Sequence, residues 1–262
     1  VAASANNLAN LYAEMGEFGE AKPLYERAIA IRERAAGPVH PNLRLPLQNL
    51  AEVLHQLGDD GASRILLERA LAIVKKVFGE EHPAVADTMH HLGVLLAESG
   101  MDTMSGGALL EQSLAIRVKL LAPDHPDTAK SRTDLGKLLL KLGDLAAARP
   151  LLEDALRSRE AKFGPDHPTV AETLQSLAPL RAAAGDRTWA RFAYERVLAI
   201  EEKAFGASPR TARAWSDLAS FLAESRETSQ ALDASLRAEQ ISREHLRLTI
   251  RALNERQALI FA

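Results

Sequence analysis

The sequence predicts an all-α fold, a right-handed superhelical solenoid of antiparallel helix pairs, and three observations carry that prediction. A glycine-marked phrase recurs at Gly37, Gly79, Gly164 and Gly206, with Ala122 in the third place, at a spacing of 42 residues broken by one extra residue before Ala122. Between these marks each unit holds two runs of apolar residues at three- and four-residue steps, joined by a short turn. Alanine and leucine dominate while rings make up only 5% of residues, which suits helices packed closely through small side chains. A period of this length marks a repeat architecture, because one helix pair cannot hide its own apolar stripe and must stack on the next.

The elements follow in order from the first unit. NLANLYAEMG is its first helix, and EAKPLYERAIAIRE its second, with Ala21, Leu24, Tyr25, Ala28 and Ile29 on one apolar face. Equivalent second helices read ILLERALAIVKK, LLEQSLAIRVK, LLEDALRSRE and FAYERVLAIEEK. The MGEF, LGDD, LGDL and AGDR segments are the turns, where glycine reverses the chain without a left-handed penalty. After each glycine mark comes a histidine–proline step, at His40–Pro41, His82–Pro83, His125–Pro126 and His167–Pro168, with Ser208–Pro209 as its degenerate form. Proline suits a first helical turn, so these steps open the next unit. Six helix pairs are expected, at 1–40, 41–82, 83–125, 126–167, 168–208 and 209–240, followed by a capping or linker helix over 241–262. The extra residue of the third unit falls in MDTMSGG, where Gly106 and Gly107 are expected to weaken a helix start and allow a bend or fraying.

Composition narrows the function. With 32 basic and 35 acidic side chains the formal charge is -3, which provides no field for nucleic acid or anionic lipid. Cysteine is absent, removing disulfides, thiolate ligands and cysteine nucleophiles, and fitting a cytoplasmic chain. No apolar run reaches membrane-spanning length. Both ends read as cuts through a longer protein, and the apolar run at 259–262 favours end-to-end self-contact of a truncated solenoid.

The repeat resembles the tetratricopeptide family, in the 42-residue form typified by kinesin light chains. The match lies in Leu8, Ala9, Tyr12, Gly16, Ala21, Tyr25 and Ala28 of the first unit, and in the link Gly37, His40, Pro41 and Arg44. Arg44 departs from the pattern, standing where later units have Ala86, Ala129 and Ala171. The resemblance covers about residues 1 to 240. From Ala231 the tail is similar to the segment that joins such repeats to a caspase-like CHAT domain in bacterial proteins; a plain capping helix is the alternative.

The resemblance implies a scaffold that binds a peptide or protein partner on the concave wall, lined by the first helix of each pair. Its groove residues would be Asn6, Asn7, Asn10 and Glu14, then Gln48, Asn49, Glu52 and Gln56. Asp87, His90, His91 and Glu98 follow, then Lys130, Asp134, Lys137 and Lys141, then Glu172, Gln175 and Ser176, and last Arg213, Ser216, Asp217 and Glu224. Asn7 and Asn49 stand where the family clamps a peptide backbone, a task for which an amide both donates and accepts. The row then changes to His91, Asp134, Ser176 and Asp217, so full-length clamping is not implied. Lys130, Lys137 and Lys141 project from one helix face and could receive a carboxylate; a solvated face would show the same pattern.

Catalysis, cofactors and metals are not expected. HExxH, GxxxxGKS, GxSxG and GxGxxG are all missing. The four link histidines sit one repeat apart, roughly 10 Å, too far to share a zinc ion that needs its ligands about 2 Å away. They are expected to bond backbone or a neighbouring acid. His90 and His91 diverge by about 100° on a helix, and Trp189 and Trp215 are expected in packing. The alternative function is a regulatory or sensor segment of a larger signalling or protease protein, working through the C-terminal helices on a domain beyond residue 262.

Overall fold

The proline that opens a unit needs no amide partner, and the histidine before it supplies an acceptor for one that does. The computed structural model, which describes residues 1–260 and the side chains of residues 1–251, shows this at successive links. Nδ1 of His40, His82, His125 and His167 accepts the amide of Asn42, Ala84, Asp127 and Thr169, at 3.1–3.2 Å. Each link histidine is therefore an N-cap. Phe78 stacks on His82 at 4.3 Å and Phe163 on His167 at 4.6 Å, fixing the ring from the preceding helix.

The helices come in consecutive pairs: α1 (Ala2–Glu14) with α2 (Phe18–Ala36), α3 (Arg44–Gln56) with α4 (Asp60–Phe78), and α5 (Pro83–Glu98) with α6 (Thr103–Leu120). Then follow α7 (Pro126–Leu142) and α8 (Leu145–Phe163), and the pairs α9 (Pro168–Ala183) with α10 (Arg187–Phe205) and α11 (Pro209–Glu224) with α12 (Thr228–Ile260). A single 3-10 turn, Pro41–Leu43, precedes α3. The chain is an all-α helical repeat solenoid, with no strand among the described residues. No described helix is long and apolar enough to cross a membrane. The expected boundary at 240 falls inside α12, and the apolar run at 259–262 lies outside the described side chains.

Two compact units divide the chain, Val1–Leu138 and the part from Leu139 onward. In the first, Ala9, Tyr25, Ile29, Leu43, Leu47, Leu50 and Val53 form one buried layer, and Ala51, Leu67, Leu92, Leu95 and Leu96 form the next. In the second, Val170, Leu174, Val197, Leu218 and Phe221 are buried together, with Trp189 and Trp215 packed against them. Turns within pairs put Gly16, Gly58, Gly143 and Gly185 at positive φ, and the last turn puts Arg226 there instead, at φ 63°.

Polar staples cross these layers at one repeated position. Arg117, 3% exposed, donates to the Asp127 carbonyl at 2.9 Å and Ser131 Oγ at 2.8 Å on α7. In the second unit Arg159 donates in the same way to the Thr169 carbonyl, Glu172 and Thr173 on α9. One repeat later the position is Glu201, fully buried, which accepts Arg210 in a two-bond fork at 2.9 and 2.8 Å.

Gly106 and Gly107 do not fray their helix. The start of α6 is capped by Asp102, whose carboxylate accepts the Ser105 amide at 3.0 Å. A Cβ on Gly106 would lie 2.8 Å from the Gly93 carbonyl oxygen, and one on Gly93 would lie 2.9 Å from that of Gly106. The missing side chains let α5 and α6 meet backbone to backbone, so glycine's propensity cost is offset by close packing.

Two stability changes follow. Gly106→Ala must push α5 and α6 apart and should cost about 1–3 kcal/mol in chemical denaturation. Arg226→Gly relieves an exposed left-handed residue and should add up to about 1 kcal/mol by the same assay.

Candidate partner-binding groove

The first helices of the first unit present side chains at equivalent repeat positions, and these enclose a cavity of about 360 Å³. Gln48, Asn49, Glu52 and His55 enter from α3, and His90, His91, Val94 and Glu98 from α5. Lys130 and Asp134 close it from α7, while Leu67 and Leu95 contribute apolar surface. A second, more open depression of about 580 Å³ runs along α1 and α3, with Asn10, Glu14, Tyr25 and Gln56 in its lining. Asn49 and Glu52 line both, so the two depressions adjoin.

Asn49 is held rather than loose. Buried Tyr25 donates its hydroxyl to Asn10 Oδ1 at 2.7 Å, and Asn49 Nδ2 donates to the same oxygen at 3.1 Å. Burial pushes the Tyr25 hydroxyl pKa up, so it stays a donor. One amide hydrogen of Asn49 is thus already used within the chain.

Gln48, 5% exposed, belongs to a half-buried ionic knot. Its Oε1 accepts from Arg44 at 2.8 Å and its Nε2 donates to Asp87 at 3.2 Å. Asp87 also pairs with Arg44 at 2.5 Å and with Arg117 at 3.2 Å. Burial opposes the charge on Asp87, yet His91, Gln48, Arg44 and Arg117 together hold its carboxyl below the usual range. The arginine that breaks the repeat pattern at position 44 is therefore the partner that joins α3 to α5. His91 Nδ1 lies 2.8 Å from the Asp87 carbonyl oxygen, which makes that nitrogen the donor.

The remaining histidines titrate in opposite directions. His90 is 1% exposed, and burial pushes its pKa down although Nε2 lies 3.1 Å from Asp134, off the line of a well-directed hydrogen bond. Burial also works against the charge on Asp134, but His90, Lys137 and Lys130 pull its pKa down overall. His55 is raised by its hydrogen bond to Asp60 at 2.5 Å, with Glu98 3.7 Å from its other nitrogen.

Of the residues predicted from sequence, Gln48, Asn49, Glu52, His91, Lys130 and Asp134 line the cavity, and Asn10 lines the adjoining depression. Asn6 and Asn7 line neither; Asn7 is exposed, and Asn6 Oδ1 is buried without a hydrogen-bond partner. Lys130 lines the cavity, and Lys137 lies 3.5 Å from Asp134. Sequence reasoning missed His55, Val94 and Tyr25. Tyr25 lies on a second helix, outside the row that the repeat pattern assigns to the wall, and His55 and Val94 are first-helix positions that the row passes over.

Comparison with known proteins identifies the repeat. The tetratricopeptide repeat model matches residues 1–76, 47–105, 101–161 and 138–203. The nearly identical TPR-like repeats of a Podosopora anserina protein named for kinesin light chain are similar, with a TM-score of 0.62 and 29% identity over 77% of this chain and 95% of that one. BtubC (BKLC) from P. vanneervenii superposes with a TM-score of 0.72 at 19% identity, over 84% of this chain and 89% of that one. The apo form of RapI gives 0.64 at 14%, over 94% and 99%. The last two show the fold alone. No curated protein matches in sequence.

The histidine shifts set a pH dependence. His90, neutral in the fold, binds fewer protons than the unfolded chain, so its contribution is full above its ordinary value of 6.5 and is lost as pH falls below it. His55 runs the other way, its contribution present below 6.5 and lost as pH rises through its raised value. Melting temperatures between pH 7 and 5 should fall less steeply in His90→Gln than in the parent, and more steeply in His55→Gln.

Proposed function

Because the chain belongs to the tetratricopeptide repeat family, we propose that it is a protein–protein interaction scaffold that holds an extended peptide segment of a partner in the groove along α1, α3, α5 and α7 of its first unit. The observation that carries this reading is the adjoining pair of polar depressions whose amides are braced within the chain. Asn49 is held by Asn10, and Gln48 by Arg44 and Asp87. Side chains positioned in advance lose little freedom when a ligand arrives, and amides recognise backbone without demanding one side chain. Of the wall's histidines, His55 bonds Asp60 and His91 the Asp87 carbonyl, so both serve to brace the wall.

A second reading, a regulatory segment acting through the C-terminal helices, is favoured by α12. That helix has 33 residues against 19 in α10, and it exposes Leu246 and Ile250, four residues apart on one face. Tethering to a further domain would give such a face its use.

Selection of a random-peptide phage library on the purified chain tests the groove. Asn49→Ala should weaken the selected peptides by about fivefold or more, the scale of one net hydrogen bond, while Arg64→Ala on α4 should leave them unchanged. Equal binding by both variants would place the partner elsewhere, and α12 would then be the surface to truncate.

A further inference from the structure

Several carboxylates of this chain are neutralised by its own arginines and lysines. Glu33 pairs with Arg69, Glu81 with Lys119, Glu153 with Arg149 and Arg181, and Glu160 with Arg196. The groove of the first unit is different. Glu14, Glu52 and Glu98 are exposed there, and among the described residues none has a lysine or arginine at ion-pair distance. Glu52 accepts only the Gln56 amide, at 3.0 Å, and Glu98 only approaches His55, at 3.7 Å.

Glu52 and Glu98 stand on the rim of the 360 Å³ cavity, and its wall beneath them carries Leu67, Val94 and Leu95. We infer that this cavity is the pocket for a basic side chain, arginine ahead of lysine, on the bound segment. The chemistry fits in two parts. An arginine or lysine stem is apolar and covers aliphatic surface while its charged head stays at the wet end. A planar guanidinium can present separate N–H edges to two carboxylates, which a compact ammonium does less well. Lys130, which lines the cavity from α7 whereas Glu52 and Glu98 line it from α3 and α5, repels that head and favours the carboxylates. An acidic side chain would meet the reverse arrangement, because Lys130 is the one cation on that lining with no carboxylate at ion-pair distance.

This inference rests on the groove being the partner site, so the experiment separates the two. Random-peptide phage selection on the full chain is followed by fluorescence anisotropy of the best peptide, its Arg→Ala form and its Arg→Glu form. The expected result is one constant basic position, with binding reduced about tenfold or more by Glu52→Gln plus Glu98→Gln, the scale of a charge-assisted pair. The Arg→Ala peptide should then no longer distinguish parent from variant. Both glutamates are exposed, and unchanged melting of the double variant confirms that the fold is intact. Peptides that depend on Asn49 but show no basic position, or an acidic one that depends on Lys130, overturn this inference and leave the groove reading standing. Binding indifferent to Asn49→Ala, or no enrichment at all, overturns both.

Discussion

A pair of antiparallel helices has two apolar faces and can hide only one of them from water by its own packing. Everything else in this chain answers that constraint. The second face must be covered by the next pair, so the same small residues return at the same places, and Ala9, Ala51 and Ala178 are all fully buried. Stacking in turn sets the first helices side by side, which is how a groove can arise with no dedicated loop. The wall is a by-product of packing, and its chemistry is whatever the solvent-facing positions happen to carry.

Apolar stacking says little about rotation or sliding between pairs, since alanine and leucine surfaces are tolerant. The polar staples provide that definition. Arg117 and Arg159 each reach two or three acceptors on the following first helix, and Glu201 receives Arg210 with the polarity exchanged. Removing either partner of such a buried contact leaves a desolvated charge, which is far more costly than the contact itself is stabilising. The ionic knot of Arg44, Gln48 and Asp87 is the local extension of this device, and it reaches the groove because Gln48 is at once a staple and a lining residue.

The helix pairs, their turns and their histidine–proline starts were legible in the sequence because each depends on local chemistry: spacing of apolar residues, glycine at positive φ, proline in a first turn. The wall rows were legible for the same reason, since repeat register transfers a position from one pair to the next. Non-local contacts were not. Nothing in the row of Asn7 and Asn49 says that one is exposed at the outer helix while the other is held by Asn10 and Tyr25. Gly106 looked like a weak point because propensity is read along one helix, and its purpose lies in the carbonyl of another. Arg44 looked like a departure from pattern, and its reason, Asp87, stands 43 residues further on.

The close meeting of Gly93 and Gly106 has a consequence for how the groove discriminates. Two backbones in direct contact have no side chains to rearrange, so α5 cannot lean back onto α6 when something presses on it from the groove. The wall that carries His90, His91, Val94 and Glu98 is therefore inelastic. A group too bulky for the cavity would find no room by induced adjustment there, so a limit on size is enforced by an absence of atoms on the far side of the helix.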